Sequence, residues 1–264
     1  MTTFPSLFLS HGSPMLALSD VPARDFLAGL GDELGRPEAI LVASAHWETP
    51  APLVSSVARN ETIHDFYGFP PELYRLAYPA PGAPALAERA AARLKEAGLA
   101  AGLDRSRGLD HGAWVPLLLM YPAADIPVAQ ISIQTPRGPA HHIALGRALA
   151  PLREEGVLVI GSGSYTHNLG ELRRGDPGEA EPSWVTRFAD WFDRALVEQR
   201  TDDLVDYRGR APEAARNHPT EEHLLPVFVA LGAGDGGAAR RLHSSATYGT
   251  LRMDAYAFGE GGGA

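Results

Sequence analysis

The 264-residue sequence predicts a single α/β domain: a mainly parallel central sheet flanked by helices, with a C-terminal antiparallel edge hairpin. Three observations predict it. Short, nearly continuous apolar runs, SLFLS at 6–10 and VLVIG at 157–161, fit strands covered on both faces. Amphipathic stretches of helical length separate such runs, the alternation of a parallel sheet with helices on both sides. No internal repeat, low-complexity linker or composition break divides the chain, so residues 1–264 read as one domain, a common outcome at this length.

The elements follow in order. Residues 6–10 form the first strand and 22–34 an amphipathic helix. AILVASA at 39–45 is a strand, and LVSSV at 53–57 a weaker one. The proline-rich stretch FPPELYRLAYPAPGAP at 69–84 is the longest without periodicity. Irregular loops of that length frequently act as lids or binding loops. Helical patterning returns at 83–97, and GLDHGAW at 108–114 opens an apolar helix through an Asp-His-Gly turn. A strand at 128–134, a helix at 140–152 and a strand at 157–161 come next. In 183–199, Trp184, Phe188, Trp191 and Phe192 recur at helical spacing and read as a core face. Residues 220–231 follow Pro219 and begin with Thr220, a capping residue type. Segments 242–248 and 250–258 partly alternate in period two around Gly249, the pattern of the edge hairpin, and 259–264 reads as a frayed tail.

Composition excludes several chemistries. With no cysteine there is no disulfide framework, thiolate zinc site, thiolate-bound iron–sulfur cluster or thiol nucleophile. Any transition metal must be held by imidazole and carboxylate, and the chain has ten histidines. The net charge is −9, from 23 basic and 32 acidic residues, and no basic stripe runs along the chain. Neither a nucleic-acid nor a membrane partner is therefore expected, and the chain reads as soluble and cytoplasmic, without a leader segment. Lys95 is the only lysine and falls in a helical run, which argues against a Schiff-base mechanism.

The histidines carry the chemistry. His11 in LFLSHGSP, His46 in LVASAHWE and His167 in VIGSGSYTHN each follow a predicted strand. Ligands of open α/β sheets bind outside the carboxyl ends of the strands, so these three rings can enter one crevice. A lone histidine is usually a core or capping residue; three in this context read as a metal site. His218 and His223 in NHPTEEHLL, with Glu221 and Glu222 beside them, offer further ligands. His111 reads as a supporting donor, a base or a turn residue. His64 in IHDFYGF lies beside the lid candidate, while His141, His142 and His243 read as structural or surface residues. Phosphate-loop, nucleophile-elbow and HExxH motifs are absent.

Taken together, LFLSHGSP at 7–14, SAHWE at 44–48, HDFYGFPPELYRLAYPAPG at 64–82, GLDHGAWVPL at 108–117, SGSYTHNL at 162–169 and HPTEEHLLP at 218–226 resemble the DODA-type class III extradiol ring-cleaving dioxygenases. The resemblance implies His11, His46 and His223 as metal ligands, with Glu222 or His218 as alternatives to His223. It implies His167 as the active-site base and a fourth ligand in a resting site, and His111 as a residue that positions substrate or oxygen. It also implies non-haem Fe(II) as the working ion, Zn(II) being able to occupy the same site, and a catechol and O2 as substrates. A zinc hydrolase and a non-catalytic metal- or peptide-binding protein are the alternatives. For the substrate, His64, Tyr67 and Phe69 are the candidate contacts, with Tyr74 and Tyr78 nearby and Arg75 or Arg252 to meet a carboxylate.

Overall fold

Apolar side chains on both faces of four adjacent strands form the centre of the fold. The computed structural model describes residues 2–172 and 181–259. Its strands are β1 (Ser6–Ser10), β2 (Ala39–Glu48), β3 (Leu53–Ser55), β4 (Gly102–Asp104), β5 (Val128–Ile133), β6 (Val157–Gly163), β7 (Ala239–His243), β8 (Ala246–Thr247), β9 (Leu251–Arg252) and β10 (Ala255–Phe258). The helices are α1 (Pro22–Leu34), α2 (Pro84–Glu96), α3 (His111–Met120), α4 (Gly138–Leu149), α5 (Ser183–Val197), α6 (Thr201–Val205), α7 (Tyr207–Arg210), α8 (Ala214–Asn217) and α9 (Leu225–Ala233).

The main sheet runs in the order β4-β3-β5-β2-β6-β1-β10-β7. Its centre, β5-β2-β6-β1, is parallel throughout. Alternation along β2 sorts the two layers: Ile40 and Val42 pack with residues of α1 and α3, whereas Leu41 and Ala43 pack with α2, α4 and α9. Each fully buried Leu or Ile contributes about 1.5–3 kcal/mol. The predicted α/β architecture is therefore present. No helix of the described residues is long and apolar enough to cross a membrane.

The C-terminal hairpin forms in two parts. β8 and β9 pair around Gly249, and β7 pairs with β10. The outer strand is β7, whose Arg240 and Arg241 face solvent, as suits an edge. β10 lies inside, paired with β1, because it is apolar on both faces: Tyr256 and Phe258 pack beneath α5 and α9, Ala255 and Ala257 on the α1 side.

Other boundaries move for local reasons. The helix predicted at 220–231 begins only at Leu225, preceded by a turn that contains His223. Pro226 sits in its first turn, where its fixed φ suits a helix start, and Thr220 donates to Glu222 Oε1 instead of capping. β2 runs on to Glu48, so His46 lies within the strand. The lid candidate at 69–84 is only partly a surface loop. Leu73, Tyr78 and Ala80 are buried in the core, and Gly82 bridges to Val128. Beyond Gly259 the predicted tail lies outside the described residues.

A candidate metal centre at the strand ends

β2, β6 and β1 are adjacent, so their carboxyl ends deliver His46, the loop to His167, and His11 to one place. His11 leaves β1 with its N–H bonded to the Gly163 carbonyl (2.9 Å). Its Nδ1 lies 2.9 Å from Ser162 Oγ, and that hydroxyl donates its single proton to the Gly112 carbonyl. Ser162 must therefore accept from His11 Nδ1–H, which leaves a lone pair on His11 Nε2.

His223 reaches the cluster from the turn before α9. Ser164 N–H donates to its carbonyl at 2.8 Å, and a Cβ on Gly163 would lie 2.1 Å from that oxygen. Only glycine lets the turn approach so closely. His223 Nδ1 donates to Glu222 Oε1 at 2.9 Å, so its Nε2 also carries a lone pair. His46 Nε2 lies 3.0 Å from His11 Nε2 and 3.3 Å from His223 Nε2, while its Nδ1 faces Asp65 Oδ2 at 3.6 Å.

Three imidazole nitrogens thus converge on one point, two of them, those of His11 and His223, with their ring protons engaged elsewhere, an arrangement suited to a cation. Two nitrogens about 2.1 Å from one ion and 90–110° apart are separated by ~3.0–3.4 Å, which matches the observed spacing. The residues fit a divalent metal of the kind imidazole prefers. Burial, then the charge of His46, pushes His11 well below its ordinary pKa. Burial, then the charge of His111, pushes His46 down to about 4. Burial, then the charge of His167, pushes His223 well below the usual histidine range. At neutral pH all three rings are neutral, ready to ligate without losing a proton.

A second ring of groups surrounds the three. His111 is the first residue of α3, and its ring centroid lies 4.0 Å from that of His46 and 5.3 Å from that of His11. Asp110 caps α3 and is fully buried, its carboxylate accepting from Ser44 Oγ (2.7 Å), Gln130 Nε2 (2.8 Å) and Arg107 (2.9 Å). Asp65 accepts from both the N–H and the Nδ1–H of His111 at 2.9 Å. Burial opposes ionisation of Asp65, but the hydrogen bonds and charge of His111, with the charge of His46, together outweigh it and hold the carboxyl at about 2. His167 stacks on His223, with centroids 3.5 Å apart and planes 10° apart. Burial lowers the pKa of His167, against the pull of Glu222.

Thus His11, His46 and His223 share a focus, His111 flanks it, and His167 lies against His223. Glu222 stands behind His223 as its hydrogen-bond acceptor, although its carboxylate, His167 and His223 also have ligand atoms within 4.8 Å of one another. His218 is fully buried and turns its Nε2–H to the Tyr165 carbonyl, outside the convergent set. His64 donates to the Leu76 carbonyl and holds its loop. Tyr67 is 92% exposed, and Phe69 packs on the core beside Phe66.

Two of the substrate candidates are structural. Tyr78 is buried with its hydroxyl bonded to the Tyr121 carbonyl, and Arg252 is buried and paired with Asp254 and Glu181. Arg75 is exposed beside Glu72. His141 and His142 bond to Gln134 side-chain and backbone groups, and His243 stacks on Phe26, as structural readings predict. Asp65, Phe66 and Gly112 were missed by sequence reasoning. Phe66, 5.7 Å from His111 and 5.2 Å from Tyr74, is the aromatic ring of this loop that meets the histidine cluster. The one available signal was their position inside the HDF and DHG segments that carry His64 and His111.

The chain is 45% identical over 258 residues to 4,5-DOPA dioxygenase extradiol of Beta vulgaris, covering 96% of each chain. It is 43% identical over 242 residues to 4,5-DOPA dioxygenase extradiol of Escherichia coli K12, covering 89% of this chain and 87% of that one. A crystal structure of an uncharacterized protein from Escherichia coli K12 superposes with a TM-score of 0.81 at 36% identity, over 97% of this chain and 100% of that one. A model of the catalytic LigB subunit of aromatic ring-opening dioxygenase matches residues 5–259. Extradiol enzymes of this kind are non-haem metal enzymes, consistent with the resemblance in the sequence motifs and with the histidine cluster. The chain belongs to the LigB family of aromatic ring-opening dioxygenases.

Proposed function

We propose that this protein opens a catechol ring beside its diol with O2, using Fe(II) held by Nε2 of His11, His46 and His223. The substrate we propose is DOPA or a related 3,4-dihydroxyphenyl compound, the chemistry named for the Beta vulgaris and Escherichia coli relatives. One observation carries the reading: three Nε2 atoms within 4.8 Å of one another, two of them with their Nδ1 protons engaged by Ser162 and Glu222. When bound, iron supplies the redox path between ring and oxygen, which zinc at the same site does not. Three protein ligands leave positions open for the substrate.

The remaining work falls to the chain's own groups. His167, neutral at pH 7 because burial lowers its pKa, accepts the catechol proton and later returns one. His111, anchored through Nδ1, offers Nε2 to the substrate or oxygen. Burial of His11, His111 and His223, each at most 6% exposed, limits water at the reacting centre. Phe66 supplies an aromatic wall on the His111 side.

The test is a small catechol panel (catechol, caffeate and DOPA) mixed anaerobically with Fe(II)-loaded protein before oxygen is admitted. Oxygen uptake with a yellow ring-opened product is expected from at least one member. Conversion without oxygen points to a metal hydrolase and contradicts the proposal, as does the absence of product from every catechol.

A further inference from the structure

Asp65 touches no element of the sheet's carboxyl ends by sequence, yet three of its contacts meet there. Oδ1 accepts from the His111 backbone N–H, and Oδ2 accepts from His111 Nδ1–H, each at 2.9 Å. The same Oδ2 lies 3.6 Å from Nδ1 of His46. The loop that carries Asp65 is fastened to the start of α3 on both sides. Leu109 N–H bonds to Glu61 O and Ile63 N–H to Leu109 O, both at 2.8 Å, while Trp114 Nε1–H donates to Ile63 O at 3.0 Å. The backbone next to Asp65 is therefore anchored by bonds that do not involve His111.

We infer that Asp65 is a positioning residue that fixes the ring proton of His111 on Nδ1 and so leaves Nε2 as the unprotonated atom available to the substrate. A carboxylate only accepts hydrogen bonds, so a neutral His111 must place its proton toward Asp65. Among the described residues Nε2 has no protein partner, so nothing else in the site selects the tautomer. By holding Nδ1 and the backbone N–H together, the carboxylate also removes the ring's freedom to rotate. Because Oδ2 faces His46 as well, one oxygen relates the position of His111 to that of a metal-site histidine. This inference deepens the proposed reaction, and its kinetic consequence rests on that reading.

Asp65→Asn separates this role from simple support of the helix. The amide oxygen still accepts from the His111 N–H, but its NH2 group then faces Nδ1 and can only donate. The ring proton is forced onto Nε2 while shape and helix capping are retained. The experiment is ring-nitrogen NMR of zinc-loaded full-length protein labelled with 15N-histidine, with His111 assigned by its loss in His111→Gln. In the wild type, His111 is expected to show a protonated Nδ1 and an unprotonated Nε2; the opposite tautomer overturns the inference without any variant. In Asp65→Asn, the tautomer is expected to invert and kcat of the iron-loaded enzyme to fall about 10–100-fold, the usual effect of disturbing groups around a metal site. KM is expected to stay within about threefold, because the aromatic wall is untouched. An unchanged tautomer in the variant, or an inverted one with unchanged kcat, refutes the assignment. If wild-type enzyme opens no catechol, the proposed reaction fails, while the NMR result still decides what Asp65 does.

Discussion

Replacing Gly112 with alanine should damage the metal site far more than the fold. Gly112 is the second residue of α3, and a Cβ there would lie 2.5 Å from Ser44 Oγ, 3.1 Å from His46 Cδ2 and 3.2 Å from His11 Cε1. Comfortable carbon contacts are ~3.5–4.0 Å, so each imidazole must retreat by several tenths of an ångström, and Ser44 by more. Ser44 is bonded to Asp110 at 2.7 Å and His11 to Ser162 at 2.9 Å, so neither retreats without losing a hydrogen bond. Overpacking costs about 1–3 kcal/mol, while alanine in a helix regains about 1 kcal/mol over glycine. The net loss is about 0–2 kcal/mol, or less than about 8 °C in Tm for a chain of this size. Displaced ligands are expected to lower metal affinity about 10–100-fold. Calorimetry of the metal-free protein gives the first quantity and competition for zinc against a chelator gives the second. Wild-type zinc affinity in Gly112→Ala would refute the reasoning, because it would mean that His11 and His46 do not need their observed positions to bind.

Other consequences are open to simpler measurements. His11→Ala and His46→Ala should each abolish tight, stoichiometric metal binding by elemental analysis, whereas His167→Ala should retain the metal and lose turnover; full activity in His167→Ala would contradict its role as base. Stability should fall as pH drops from about 6.5 towards 4. Burial lowers His142 to about 4 and His218 to about 3, so in this window the unfolded chain binds protons that the folded protein refuses. Their contribution is fully present above the unfolded pKa of about 6.5 and lost as pH falls, each group costing on the order of 1–2 kcal/mol by pH 5. Urea unfolding of metal-free protein at pH 7.5 and 5 checks this, and equal stability at the two values would contradict it.

Much of the scaffold was legible because strand periodicity and chain order are local. The runs at 6–10 and 157–161 became β1 and β6, and the histidines beyond them lie at the carboxyl ends as expected. The adjacency of β2, β6 and β1 is a tertiary fact, and it turns three separate motifs into one crevice. The helix at 220–231 was misread at its start because a threonine after a proline resembles a cap, while Pro226 marks the real first turn. Asp65 and Phe66 escaped notice because their value depends on a loop that pairs with Leu109, far along the chain. Arg252 and Tyr78 looked available for substrate because sequence does not reveal that Asp254, Glu181 and the Tyr121 carbonyl already occupy their polar ends.

Whether a single ion rests on Nε2 of His11, His46 and His223 is decided by anomalous diffraction at the metal edge from crystals loaded with Fe(II) under anaerobic conditions. One peak about 2.1 Å from all three Nε2 atoms, with Glu222 bonded to His223 and not to the ion, is the expected result. A peak ligated through Nδ1, through Glu222 in place of His223, or away from these residues would contradict the arrangement described above.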